Sequence, residues 1–400
     1  GIMVANRFFL ILMTAMLGIS GGVCIFISQY FGADDHDKGQ GLLALNMMCC
    51  FSVALVFLAA ASIFPQEILR LFVSDPLTIS YGVAFLGYIR FSYLPFAINM
   101  AVMSSLRAIG QTRTPFVVGS IGIVLGTALN YNFIFGALGQ PAMGVAGAGL
   151  GTMIARTVEM LIYLGILASN RKYFNLKLTL IRRLSREILA RIARKAIPLT
   201  GNELIWSFGT IMIFKAYTQV DEPNIASLTI LEAVSNAAFV ILHGFSASVA
   251  ILVGARLGAN RFEEARQNAS RLIAMGFAFG LFIAIIAALL GRHIVTIYNV
   301  SDQIRQMAAF MIYVQTAILP LIAMNFIIFV TFRTGGDVKS TLTMDSLFVW
   351  ILIIPLAFAL SFWTKISMPL FFAAIQSTEI LKFLLALHLF RRNRWIRNLT

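Results

Sequence analysis

Charge is scarce in this 400-residue chain: Asp, Glu, Lys and Arg make up 12% of it, and acids are the rarer kind, 17 against 31 bases. Soluble domains carry roughly 25% charged residues, so a water-facing globule is excluded. Cysteine is confined to Cys24, Cys49 and Cys50, all inside apolar runs, which gives no disulfide framework. The four histidines, His36, His243, His293 and His388, are scattered without metal-ligand spacing, so no metal centre, no prosthetic cofactor and no membrane-embedded enzyme are expected. There is no Walker phosphate loop, which argues against ATP drive. No secretory signal pattern opens the chain.

What is abundant is apolar: 59% of residues, at a mean hydropathy of +0.85. A helix crosses the roughly 30 Å hydrocarbon layer in about 20 residues. Runs of that kind fall near 8–30, 42–64, 81–106, 115–136 and 145–168, and then near 196–218, 225–255, 272–291, 307–330, 341–363 and 368–390. They are continuously apolar rather than alternating, which excludes a β-barrel. The expected fold is therefore an all-α polytopic membrane protein. Its divisions are a bundle of five visible helices over 1–169, a basic connector over 170–195, a six-helix bundle over 196–391 and a tail over 392–400.

The net charge of +14 sits in loops on alternate sides. The connector shares its side with Arg107, Arg113, Arg256, Arg261, Arg333 and Arg391, which places it and the carboxyl terminus in the cytoplasm. In the connector Leu180, Leu184, Ile188 and Ile192 recur every four residues between arginines, suiting a helix that lies on an anionic membrane surface. Nucleic acid is the poorer partner for this charge.

The stretch "GADDHDKGQ" (32–40) has the look of a metal loop, with three aspartates, a histidine and two glycines. A calcium loop needs oxygens at alternating positions and a closing bidentate Glu, and that order is missing. An internal repeat explains the stretch better. A constant shift of 226 aligns Gly18 with Gly244, Ser20 with Ser246, Val23 with Val249 and Gly32-Ala33 with Gly258-Ala259, so "GADDHDKGQ" corresponds to "GANRFEEAR". It is a helix-to-helix turn: Gly32 ends one helix and the acids suit the positive end of the next. Further echoes join "YIRFSYLP" (88–95) to "YVQTAILP" (313–320) and "SLRAIGQTR" (105–113) to "TFRTGGDVK" (331–339). The chain is two homologous halves, and the partner of 196–218 falls before residue 1. The expectation is a twelve-helix parent of two six-helix bundles, a duplicated design used by secondary transporters.

"GQPAMGVAGAGLGTMIAR" (139–156), "IPLTGNELIW" (197–206), the "LGANRFEEAR" turn and "FRTGGDVKSTLTMDSLFVWILIIPLAF" (332–358), in this order, resemble the multidrug and toxin extrusion (MATE) family. The resemblance implies a plasma-membrane antiporter that expels organic cations or amphipathic drugs while Na+ or H+ runs inward, by alternating access of a V-shaped pair of bundles; nothing in the sequence points to an obligate oligomer, so a monomer is expected. A lipid-linked saccharide flippase is the alternative. The few charges along the spans speak against it, because a pyrophosphate substrate favours cavity arginines.

Polar residues inside the spans are the candidate site. Glu203, with Asn202, follows Pro198 and is the first choice for ion or proton coupling, since an intramembrane carboxylate faces a wet cavity or a partner. The familiar coupling acid of some members lies further along this helix, where this chain has Trp206. Glu232 and Asn236 share one helical face, with His243 below them as a candidate proton relay near neutral pH. Trp206, Met212, Phe239 and Asn325 are expected at the substrate cavity, Asn325 standing in a region where many members place an acid. Arg156 with Glu159, and Glu379 with Lys382, have the i,i+3 spacing of structural ion pairs. Arg90 has no carboxylate at helical spacing.

Overall fold

The structure, a computed structural model, describes residues 2–71, 76–169, 184–221, 226–298 and 300–399. Among the described residues there are helices and no strands. Two compact units emerge, Gly1–Leu204 and Ile205–Thr400.

The first unit is built from α1 (Ile2–Gly32), α2 (His36–Ile63), the short α3 (Pro65–Arg70), α4 (Pro76–Ile89), α5 (Tyr93–Ala108), α6 (Arg113–Phe135) and α7 (Val145–Ser169), with the opening part of α8 (Arg186–Asp221). The expected span over 81–106 is broken in two. A 3-10 turn, Arg90–Ser92, separates α4 from α5. Pro95 explains the break, because it has no N–H for the carbonyl four residues back. Around this break lies the core of the unit: Tyr93 is fully buried and stacks on Phe9 with ring centres 5.9 Å apart. Arg90 settles over the Phe91 ring at 4.9 Å.

Helix α8 approaches α1 closely within this unit. A methyl on Gly18 would overlap Thr200, and one on Gly22 would overlap Ala196, so two small residues one turn apart let the backbones meet. Residues 170–183 of the expected connector, with Leu180, Arg182 and Arg183, lie outside the described residues. Its second half is the start of α8 and the residues just before it. There Leu184, Ile188 and Ile192 are buried against protein, while Arg186, Arg191 and Arg194 are exposed. These three residues of the apolar stripe expected to rest on lipid headgroups therefore face the protein interior.

The second unit continues α8 and adds α9 (Ala226–Val249), which runs through a π-helical turn at Ala250–Gly254 into α10 (Ala255–Gly258). Then come α11 (Phe262–Thr296), α12 (Asp302–Thr334), α13 (Val338–Leu342), two π-helical turns over 343–353, α14 (Ile354–Trp363) and α15 (Met368–Arg391). Its main core gathers Tyr217, Met311, Phe348, Phe371 and Phe372, with Tyr217 edge-on to Phe371 at 4.8 Å. The tail packs rather than trails. Trp395 is fully buried, stacks on Phe390 at 5.3 Å, and puts its carbonyl where a side chain on Gly335 would stand. Asn398 then donates to the Gly258 carbonyl at 3.2 Å and to Asn260 Oδ1 at 2.8 Å.

The repeat is visible in backbone geometry. Asp34 and Asn260, 226 apart, are both left-handed (φ 61° and 59°), as are Gly110 and Gly336 (φ 88° and 68°). At the turn after α1, Asp35 caps α2 by accepting from the Lys38 N–H at 3.2 Å, and Asp37 stands in the first helical turn. No group of three or more metal-ligating side chains occurs among the described residues. Gly32 does end its helix, but the left-handed residue of the turn is Asp34, two positions later.

Candidate functional site

A cavity of about 330 Å³ opens inside the carboxyl-terminal unit between α9, α11 and α12. Rings of Phe239, Phe279 and Phe282 form much of its wall, and Ser235, Gln315 and Thr316 supply its polar atoms. The lining positions on α9, Leu231, Ser235 and Phe239, recur every four residues, so one helical face builds that side. On α12, Thr316 satisfies its own hydroxyl through the Ile312 carbonyl, and Gln315 pairs with Gln376 of α15. A wall of aromatic and aliphatic side chains with a few oriented polar groups suits a small amphipathic molecule.

The sequence-derived residues divide among several places. Phe239 lines this cavity. Glu232 and Asn236 are exposed on the neighbouring face of α9, sharing it as their spacing requires. His243 lies on the same helix, its side chain outside the described residues. Met212 packs against the main core of the unit. Trp206 is 41% exposed on α8, close to where the Trp350 indole donates to the Ile205 carbonyl at 3.0 Å. Asn202 (buried) and Glu203 (half-buried) belong to the other unit, beyond Pro198 on α8.

Asn325 is buried away from the cavity lining. Its Nδ2 donates to Glu379 Oε2 at 2.8 Å and to the Glu379 carbonyl at 3.1 Å. Glu379 also faces Lys382 Nζ at 3.6 Å, the expected structural pair. The carboxylate that α12 itself does not carry at this point is therefore supplied by α15.

The amino-terminal unit holds a matching group that sequence reasoning passed over. Asn99 Nδ2 donates to Glu159 Oε2 at 3.1 Å and to the Arg156 carbonyl at 3.0 Å. Arg156 spends its guanidinium elsewhere, donating to Ser92 Oγ at 2.9 Å and lying over Phe9 and Phe96 at 4.2 and 4.9 Å. The signal was available: Asn99 and Asn325 are separated by 226, the repeat shift.

The MatE family matches residues 1–132 and 198–359, more than half of the chain. The probable multidrug resistance protein YoeA of Bacillus subtilis is 23% identical over 362 residues, covering 90% of this chain and 78% of its own length. The probable multidrug resistance protein NorM of Thermotoga maritima is 23% identical over 399 residues, covering 99% and 85%. A crystal structure of MATE in complex with MaL6 superposes with a TM-score of 0.89 at 16% identity, over 98% of this chain and 88% of that one. An outward-facing multidrug resistance MATE transporter of the MOP superfamily superposes at 0.83 and 18% identity, over 98% and 88%. The eight described helices that are long and apolar enough to span a bilayer fit that polytopic fold, and the chain belongs to the MatE family.

Proposed function

We propose that this protein is a secondary active efflux transporter that exports organic cations or other amphipathic drugs in exchange for inward Na+ or H+, and is not an enzyme. The observation that carries the reading is the cavity between α9, α11 and α12, whose wall is ring and hydrocarbon interrupted by three neutral polar side chains. The apolar body of a drug lies against Phe239, Phe279 and Phe282. Oxygens of Ser235, Gln315 and Thr316 orient its polar end. Among the described residues, no arginine or lysine stands in the lining to repel a cation, or to recruit the pyrophosphate of a lipid-linked saccharide. Named multidrug resistance proteins among the relatives support the same substrate class.

Coupling is assigned first to Glu203, a carboxylate of α8 five residues beyond Pro198, which lies inside the same helix. Gaining or losing a proton or Na+ there changes the charge of a membrane-embedded group, which a conformational cycle can use. The protein is taken to work as a monomer in the plasma membrane, with its carboxyl terminus in the cytoplasm. The test is efflux of a fluorescent organic cation from proteoliposomes holding the full-length chain, with Na+ and pH gradients imposed separately. One gradient should drive transport, and Glu203→Gln should abolish that dependence. Transport at full rate with unchanged ion dependence in Glu203→Gln removes Glu203 from the mechanism; no transport under either gradient removes the efflux reading.

A further inference from the structure

Each unit contains a buried asparagine on the helix that precedes the Gly110 or Gly336 turn, donating into a glutamate on another helix of the same unit. Asn99 of α5 serves Glu159 of α7, and Asn325 of α12 serves Glu379 of α15. In both copies the two hydrogens of Nδ2 go to acceptors, one a carboxylate oxygen and the other a main-chain carbonyl. This fixes the orientation of the amide, because its oxygen could not occupy the same place. In both copies Oδ1 is consequently left buried with no hydrogen-bond partner, on side chains whose residues are 7% and 3% exposed. Buried amide oxygens without a partner are rare, and two at equivalent repeat positions call for a common cause.

We propose that Glu159 and Glu379 are duplicated proton-binding sites, one in each bundle, and that Asn99 and Asn325 read their charge state. In the charged state the carboxylate accepts from Nδ2, as observed. When a proton from water binds Oε2, the carboxylate becomes a neutral carboxyl group with an O–H to donate. A half-turn of the asparagine amide then presents Oδ1 to that hydroxyl. The same turn withdraws Nδ2 from the carbonyl of Arg156 or Glu379, exchanging a charge-assisted bond for a neutral one of roughly half the strength. Proton uptake thereby loosens α5 from α7, and α12 from α15.

A proton suits these sites better than a metal cation. Glu379 has one oxygen on Asn325 and the other facing Lys382. Glu159 has one on Asn99, while the other fills a notch on α6 where a methyl on Gly122 would overlap it. Neither leaves space for a coordination shell of several oxygens, which a proton does not need.

Among the described residues, the ionisable groups around Glu159 are Arg156 and Tyr163 on its own helix and, from α5, Tyr93 within electrostatic reach of Arg156 and Arg107 within reach of Tyr163; α6 contributes Gly122. At Glu379, Lys382 stands on its own helix and α12 contributes Asn325; the π-helical segment that packs against α15 carries Asp345.

As a source of coupling protons the pair rests on the efflux reading above; as titrating carboxyl groups it does not. The test is infrared difference spectroscopy of the purified full-length protein across a pH titration, following carboxyl and carboxylate bands. Glu159→Gln and Glu379→Gln should each remove one titrating group. Asn99→Leu and Asn325→Leu keep the carboxyl and should shift the midpoint of one group while the number titrating stays the same, which guards against loss of signal through misfolding. Unchanged titration in both Gln variants overturns the proposal, as does an unshifted midpoint in both Leu variants. Proteoliposome transport of the fluorescent cation separates the two ideas: failure in the wild-type chain overturns the efflux reading while the titration result stands.

Discussion

At the turn after α1, the N–H groups of Ala33, Asp34 and Asp35 donate at 2.9, 3.2 and 3.0 Å; 226 residues later those of Ala259, Asn260 and Arg261 donate at 3.0, 3.2 and 2.8 Å. The interiors behind these matching turns differ. In the amino-terminal unit Asn46 is fully buried and its amide donates to Ser20 Oγ at 3.0 Å, the Ala101 carbonyl at 3.2 Å and Ser105 Oγ at 3.2 Å. The equivalent position in the other unit is Leu272, packed with Ile327 and Phe332 in an apolar cluster. Turn geometry is dictated by backbone sterics, which leave few solutions. An interior accepts either a satisfied polar hub or a hydrocarbon one, so it is free to diverge.

The strongest way to break this comparison is to exchange the two centres. Leu272→Asn removes a buried leucine and strands an amide among Ile327 and Phe332, for a loss of about 3–5 kcal/mol. Asn46→Leu removes one donor from an interior whose serines keep other partners, Ser105 through the Ala101 carbonyl at 2.7 Å, so the loss is nearer 2 kcal/mol. Thermal unfolding of the detergent-solubilised protein measures both. Equal losses would show that the two interiors are interchangeable despite their chemistry.

A smaller effect sharpens the likeness of the turns. Gly110→Ala and Gly336→Ala each force a methyl-bearing residue into a left-handed conformation, at φ 88° and 68°, costing about 1–2 kcal/mol. The two variants should lower the unfolding temperature by the same amount. Unequal shifts would mean that the shared backbone is held by different surroundings.

Most of the frame was legible from residues. All eleven apolar runs have helical counterparts, because continuous hydropathy over a bilayer-length stretch admits few alternatives. The interruptions were not. The split at Arg90–Ser92 and the π-helical turns over 343–353 lie close before Pro95 and Pro355, yet a hydropathy run does not register a missing N–H. At the site, Phe239 was reachable from its place on α9, whereas the α11 side of the cavity, Phe279 and Phe282, was hidden among 34 phenylalanines. The Asn99–Glu159 and Asn325–Glu379 contacts join residues 60 and 54 apart. Helical spacing within one span suggested ion pairs, and it describes one of them, Glu379 with Lys382. It could not describe a bond whose donor stands on another helix.

The smallest predicted effect uses the matched turns to add what one of them has and the other does not. Asp35 and Arg261 occupy the same position before α2 and α11 with nearly the same backbone angles, φ −91°, ψ 72° and φ −92°, ψ 66°. Asp35 accepts from an N–H of its helix; Arg261 makes no such cap. Three residues on, Glu264 is already in the first turn of α11, held by Arg256 at 3.0 Å and Arg261 at 3.6 Å. Arg261→Ser therefore creates the Ser-x-x-Glu pattern of a capping box on a backbone that another turn in the same chain shows to be compatible with capping. The exposed ion pair lost with Arg261 is worth little, so the cap should dominate, with a gain of about 0.5–1 kcal/mol. Asp35→Ala should lose a similar amount, and the two changes made together should nearly cancel, because residues in separate turns without shared partners act additively. A double variant far from that sum would couple the two turns and undo the picture of two bundles that repeat one backbone while stabilising it independently.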